Sequence, residues 1–129
     1  MEFCVEDDGL LGFALAQELS NTTVEGRRVE VRWVHTEKEL KGCHVLFVGG
    51  SEEKQIAKTL ERVKGANVLT LGEARGFLEA GGVAQLTYED SFIRLGVNLA
   101  AAQNAGLKVD ARLLGLARRV VKATEMPGG

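Results

Sequence analysis

The side chains best suited to chemistry are two thiols and two imidazoles: Cys4, Cys43, His35 and His44. They have the donor types of a zinc site, and a thiol beside an imidazole also pairs a nucleophile with its base. The spacing argues against both. Cys43 and His44 are adjacent in a stretch that reads as a strand, and successive strand side chains point to opposite faces. They do not readily share a metal, and the same geometry separates nucleophile from base. Cys4 and Cys43 lie in elements that doubly wound chains often place side by side. A bridge between them would close a loop of about 40 residues, worth roughly 4 kcal/mol by chain entropy against a typical net stability of ~5–15 kcal/mol. Two buried free thiols fit the residues equally well, so the pattern leaves both readings open.

Glu6, Asp7 and Asp8 fall where the first strand ends, the edge at which open α/β sheets bind ligands. With Gly49 at the end of a later strand, Asp7 and Asp8 are the candidate residues for binding a small molecule, and the acids have the chemistry to hold Mg²⁺. The arrangement resembles a response-regulator receiver domain, whose chemistry needs a phosphate-accepting aspartate after a central strand. Here Val48 is followed by Gly49-Gly50-Ser51. That reading fails, and the acids read better as charges complementing a helix N-terminus. Gly49-Gly50-Ser51 has the small residues of an anion cradle, but Glu52 and Glu53 would repel phosphate and no Lys follows at Walker spacing. A turn and helix cap is the better reading. Gly81-Gly82 reads as the entrance to a hairpin. No carboxylate pair, Ser-His-Asp arrangement or metal-ligand spacing emerges, so the residues suggest no enzyme, metal or cofactor.

The elements that position these residues follow from periodicity. Glu2–Val5 reads as a strand and Leu10–Leu19 as a helix with Leu11 and Leu15 on one face. Asn21-Thr22-Thr23 is a turn that also matches a glycosylation sequon. Val29, Val31 and Trp33 alternate with Glu30, Arg32 and Val34, the pattern of a half-buried strand. Residues 43–48 form a nearly continuous apolar run, as in a central strand covered on both faces. A helix over 52–64 comes next with Ile56, Leu60 and Val63 inward, then a strand over 68–71. Residues 74–80 form a turn or short helix that delivers Phe77 to the core. Residues 83–88 and 92–97 make a hairpin around Glu89-Asp90-Ser91.

Asn98 stands at an N-cap position, a short helix runs from Leu99, and Gly106 supplies a left-handed ending. Asp110 caps a last helix whose Leu113, Leu114, Leu116, Ala117, Val120 and Val121 follow helical spacing, with Arg118, Arg119 and Lys122 near its C-terminus. Strands alternating with helices give an α/β, Rossmann-like fold: a single layered domain over residues 1–125, its mixed sheet flanked by helices, with a frayed tail over 126–129.

The 129-residue chain is the size of one domain. Its net charge of −2 provides no global field for nucleic acid or an anionic membrane. Arg27-Arg28 with Arg32 form a local basic cluster, which reads first as a solvated strand face. No apolar run approaches the ~18 residues that cross a bilayer. The opening MEFCVEDDG lacks both the basic start and the apolar stretch of a signal peptide, which taken literally points to the cytoplasm.

A series of segments, in order along the chain, resembles one family. GGVAQL, FIRLGVNLAAAQNAGL and LLGLARRV match the double-glycine strand, the I-N-L-x-x-A-x-x-A-G-L segment and the L-L-x-L-A-R helix of the YfiR family. Upstream, CHVLFVGGSEE resembles its C-H-[IV]-L-[FY] strand and Ser-containing turn. LTLGEARGFLEAGG resembles its Phe-containing connection, and FCVEDDGLLG and VEGRRVEVRWV extend the likeness toward the start. Val97 stands where Ile is usual, and Gln103-Asn104 replaces a common basic pair. Members begin with a signal peptide and an aromatic-rich helix, both missing here, so the chain reads as trimmed or divergent. If the helix is absent, one sheet face is exposed, and pairing with a second copy as a homodimer would cover it.

The resemblance implies a function. Members are small periplasmic proteins that repress membrane-bound diguanylate cyclases, so the expected partner is a cyclase's periplasmic sensory region and the output is cyclic di-GMP level, hence biofilm or motility behaviour. The family places a disulfide at the positions of Cys4 and Cys43, which implies a bridge here and an oxidising compartment. The alternative function is periplasmic small-molecule sensing at Asp7, Asp8 and Gly49.

Overall fold

Four consecutive apolar residues, VLFV, organise the sheet. A strand with no polar side chain needs cover on both faces, and β5 (Val45–Val48) is buried at every position. The computed structural model describes residues 1–6, 10–20, 22–24, 26–50, 52–89 and 92–106. Around β5 the chain forms β1 (Glu2–Val5), α1 (Leu10–Leu19), β2 (Thr23–Val24), β3 (Arg27–Arg28), β4 (Glu30–Trp33) and α2 (Glu37–Lys41). After it come α3 (Glu53–Arg62), β6 (Leu69–Gly72), β7 (Ala84–Glu89), β8 (Phe92–Val97) and α4 (Leu99–Asn104).

Six strands form one sheet in the order β4-β1-β5-β6-β7-β8, while β2 and β3 form a separate two-stranded ribbon. The strands from β4 to β7 pair in parallel and β8 pairs antiparallel with β7, so the sheet is mixed, as the hairpin pattern predicts. Registers such as Phe3 with Val45 and Cys4 with Leu46 sort the side chains between two cores. Phe3, Val5, Phe47 and Leu71 face Leu15 and Leu19 of α1 and Ala102 of α4. Cys4, Leu46 and Val48 face Leu40 of α2, Ile56 of α3 and Phe77. Helices on both faces of a largely parallel sheet make this an α/β, Rossmann-like fold.

The β7–β8 hairpin and the α4 cap match the sequence reading closely. β7 and β8 pair from Ala84–Val97 to Glu89–Phe92. Asn98 accepts the Ala101 N–H at 3.0 Å on its side-chain oxygen, and Gly106 has φ +73°. Asp90, Ser91, and residues 107–129 with the expected last helix and tail, lie outside the described residues.

Three features differ from expectation. Alternation with Val29 and Val31 places Trp33 inward, yet it is 40% exposed while Val34 is fully buried. The parity holds, because Val34 belongs to the opposite core. The position decides the exposure: β4 is an outer strand, so Trp33 has a neighbour on one side only. Cys43 precedes the central strand rather than starting it, and α2 fills the space before it. α2 carries a full capping box, Thr36 accepting the Glu39 N–H while the Glu39 carboxylate accepts the Thr36 N–H. Finally, α3 begins at Glu53 behind Glu52, which makes no side-chain cap.

Candidate functional site

The two thiols are brought together. Cys4 and Cys43 form a disulfide with Cα atoms 5.9 Å apart, both sulfurs inside the α2–α3 core. The bond ties the middle of β1 to the link between α2 and β5, so the cystine braces the sheet from one face. His44 comes directly after and is exposed, its Nδ1 accepting the Glu2 N–H at 2.9 Å. That ring nitrogen therefore serves the β1 backbone. His35 lies before α2, where its N–H donates to Glu39. The four candidate metal ligands are thus divided between a cystine, a strand bond and a helix cap. Among the described residues no three His, Cys, Asp or Glu side chains converge.

At the carboxyl ends of the strands, Asp7 and Asp8 lie outside the described residues, as does Ser51. Gly49, the third candidate for ligand binding, is half-buried just after β5. Gly50 has φ +84°, a left-handed turn that glycine adopts without strain. Glu6 is described. Both its carboxylate oxygens accept from the hydroxyl of buried Thr59 on α3, at 3.1 and 3.2 Å. This acid anchors α3 to the end of β1.

A concavity lies at the opposite, amino end of the sheet, where no sequence pattern pointed. A groove of about 410 Å³ runs between the end of α3 and the small-residue helix α4. Leu60, Val63, Val68, Val83 and Ala101 give it an apolar wall, and Glu61 and Lys64 stand at its lip. Its polar floor is already engaged: Thr70 Oγ1 accepts the Val83 N–H at 2.9 Å, and Asn98 Nδ2 donates to Leu78 O at 3.0 Å. The size suits a small ligand, and the lining offers packing with little to drive a reaction.

Above the groove, residues 74–82 carry Phe77 into the second core between Gly72 and Gly82. A double glycine leading into an antiparallel hairpin, an aromatic plug behind it and a cystine across the first strands form one continuous frame. The profile of the YfiR/HmsC-like family matches residues 1–118. The chain belongs to that family. No curated protein matches the sequence. The YfiR/HmsC-like match spans the disulfide, the central strand, the double glycine and the Asn98 cap together.

The surface of this YfiR/HmsC-like chain carries large apolar side chains at two separate edges. Phe13 and Trp33 are exposed toward β4, and Val97 and Leu99 at the end of β8. Sequence reasoning missed Phe13, because one aromatic beside the buried stripe of a short helix has no distinguishing pattern. The basic cluster divides: Arg27 and Arg28 lie exposed on β3, while Arg32 Nε approaches Glu2 Oε2 at 2.8 Å, an ion pair off the hydrogen-bond line. Among the described residues no helix is long and apolar enough to cross a membrane.

Proposed function

We propose that this protein is a non-enzymatic periplasmic regulator that binds the sensory region of an inner-membrane diguanylate cyclase and holds it inactive. Family membership across residues 1–118 carries the reading. The cystine is in keeping with an oxidising compartment, and the braced, doubly covered sheet suits a rigid binding surface. Repression requires only that the protein bind one state of the cyclase better than the other. A coupling of about 1–3 kcal/mol shifts activity by roughly 5- to 150-fold. Deleting the gene should raise cellular cyclic di-GMP, and a copy exported to the periplasm should restore it where a cytoplasmic copy does not. Unchanged cyclic di-GMP after deletion, or equal rescue from the cytoplasm, defeats the proposal.

The groove between α3 and α4 favours a second reading, a small-molecule sensor. A ligand that binds the native state must raise its melting temperature. A metabolite panel read by thermal shift separates the readings: a saturable rise abolished by Ala101→Trp supports sensing, and no rise across the panel leaves the groove a packing feature.

A further inference from the structure

β4 is the outer strand of the sheet, and its bonds to β1 fix which way each peptide group points. Glu30 N–H donates to Met1 O at 2.8 Å and Val34 N–H to Val5 O at 3.0 Å. The even-numbered residues therefore spend their backbone groups on β1, and those of Val31 and Trp33 point away from the sheet. The chain closes the edge on both sides of that pair. Val29 N–H donates to Thr22 O at 2.8 Å, and His35 N–H to Glu39 Oε1 at 3.3 Å. Among the described residues, a window of two outward residues is left between.

Protected edges are short and bear charges or proline. This window is short but flanked by aromatics. Trp33 is 40% and Phe13 52% exposed. On α1 the buried side is Gly12, Leu15, Ala16 and Leu19, and Phe13 sits about 100° round from Gly12. The right-handed β1–α1–β4 crossover turns that flank toward β4, so both rings border the window on one face. On the opposite face Arg32 is half exposed and pairs with Glu2, and the exposed Arg27 and Arg28 lie just before β4, in a chain whose net charge is −2. Glu30 is the acid on that strand.

We propose that the β4 edge binds an extended acidic segment of the partner protein by strand addition. The added strand exchanges hydrogen bonds with Val31 and Trp33, sets an apolar side chain against Trp33 and Phe13, and brings carboxylates near the exposed Arg27-Arg28 pair that precedes β4. The inference rests on the regulatory reading above and names the surface that reading requires.

The test uses the full chain and the purified sensory region of its cyclase. Backbone-resolved hydrogen exchange should show the Val31 and Trp33 amides slowed in the complex. Val31→Pro removes an outward donor without costing a bond to β1, and it should weaken binding by at least about tenfold, as should Phe13→Ala with Trp33→Ala. Arg27→Glu with Arg28→Glu should slow association most at low salt. Leu99→Ala, at the other edge, should bind as wild type. Binding within twofold by the β4 variants, with both amides unprotected, overturns strand addition and leaves the regulatory reading intact. Failure of the wild type to bind overturns both. Protection that appears in the protein alone, with a dimer in light scattering, overturns the proposal in favour of a second copy on this edge.

Discussion

Gly82 lies against the ring of Phe77 so closely that a Cβ there would overlap the aromatic carbons. On the ring's other side a Cβ on Gly72 would come within 2.6 Å of Cδ1. Phe77 is buried, and Gly82 N–H donates to Phe77 O at 2.9 Å, so plug and glycine are held together by backbone as well as packing. The second glycine of the pair is there for space. The first, Gly81 with φ +108°, is there for backbone conformation, and nothing lies within 4 Å of its missing side chain.

Gly82→Ala should therefore destabilise the protein by about 1–3 kcal/mol through overpacking. Phe77→Ala alone should cost about 3–5 kcal/mol by leaving a cavity. With the ring removed, the alanine has room, so the double variant should be more stable than the sum of the single costs predicts by about 1 kcal/mol or more. Urea denaturation of the four proteins measures the coupling. Strictly additive losses would show that the glycine answers to some constraint other than the ring.

The hairpin was legible because its cues are local: alternation over residues 83–88 and 92–97, a polar turn, and Asn98 and Gly106 where a short helix must begin and end. The groove was not legible, since Leu60, Val68 and Ala101 come together only through the crossover from α3 to β6 and the return of the chain after β8. α2 lies between these cases. Thr36-Glu37-Lys38-Glu39 spells a capping box, but a helix of five residues has too little periodicity to register. Trp33 misled because alternation reports which face a residue takes, while its exposure depended on β4 being outermost, a fact of topology.

The α2 cap predicts a particular acid response. The Thr36 hydroxyl, then the N–H groups of His35 and Thr36, bind the Glu39 carboxylate and hold its pKa below the ordinary value. A carboxylate so depressed adds stability that is complete above the unfolded pKa of about 4.3 and disappears as pH falls through the lower folded value. The melting-temperature gap between wild type and Glu39→Gln should thus be steady near neutral pH and narrow in acid, below about pH 4. A gap that stays constant down to about pH 2.5 would remove the carboxylate from the account. Thr36→Ala, which deletes the reciprocal partner, should cost about 0.5–2 kcal/mol near neutral pH.

Thr59 offers a cleaner test of a buried polar contact. Its hydroxyl, on α3, donates to the Glu6 carboxylate, and the residue is 4% exposed. Thr59→Val keeps the shape and removes the donor, so it should destabilise by about 1–3 kcal/mol, while Thr59→Ser should retain most of the bond at the cost of a methyl group. If valine proves neutral, the Thr59–Glu6 hydrogen bond contributes nothing to the junction of β1 and α3.

The cystine joins stability to function, and the two can be separated. With its ends 39 positions apart in sequence, reduction or a double Cys4→Ala, Cys43→Ala replacement should lower stability by roughly 4 kcal/mol through the freed unfolded chain. The fold should survive at low temperature, because Cys4 and Cys43 sit in an apolar core that accepts alanine. If repression depends on the cystine holding β1 in place, the reduced protein should bind the cyclase sensory region more weakly even where circular dichroism reports a folded chain. β1 is the strand on which β4 lies, so the loss should be greatest at the Val31 and Trp33 amides. Equal binding by oxidised, reduced and double-alanine protein under folding conditions would confine the cystine to a stabilising role and rule out redox control of the partner.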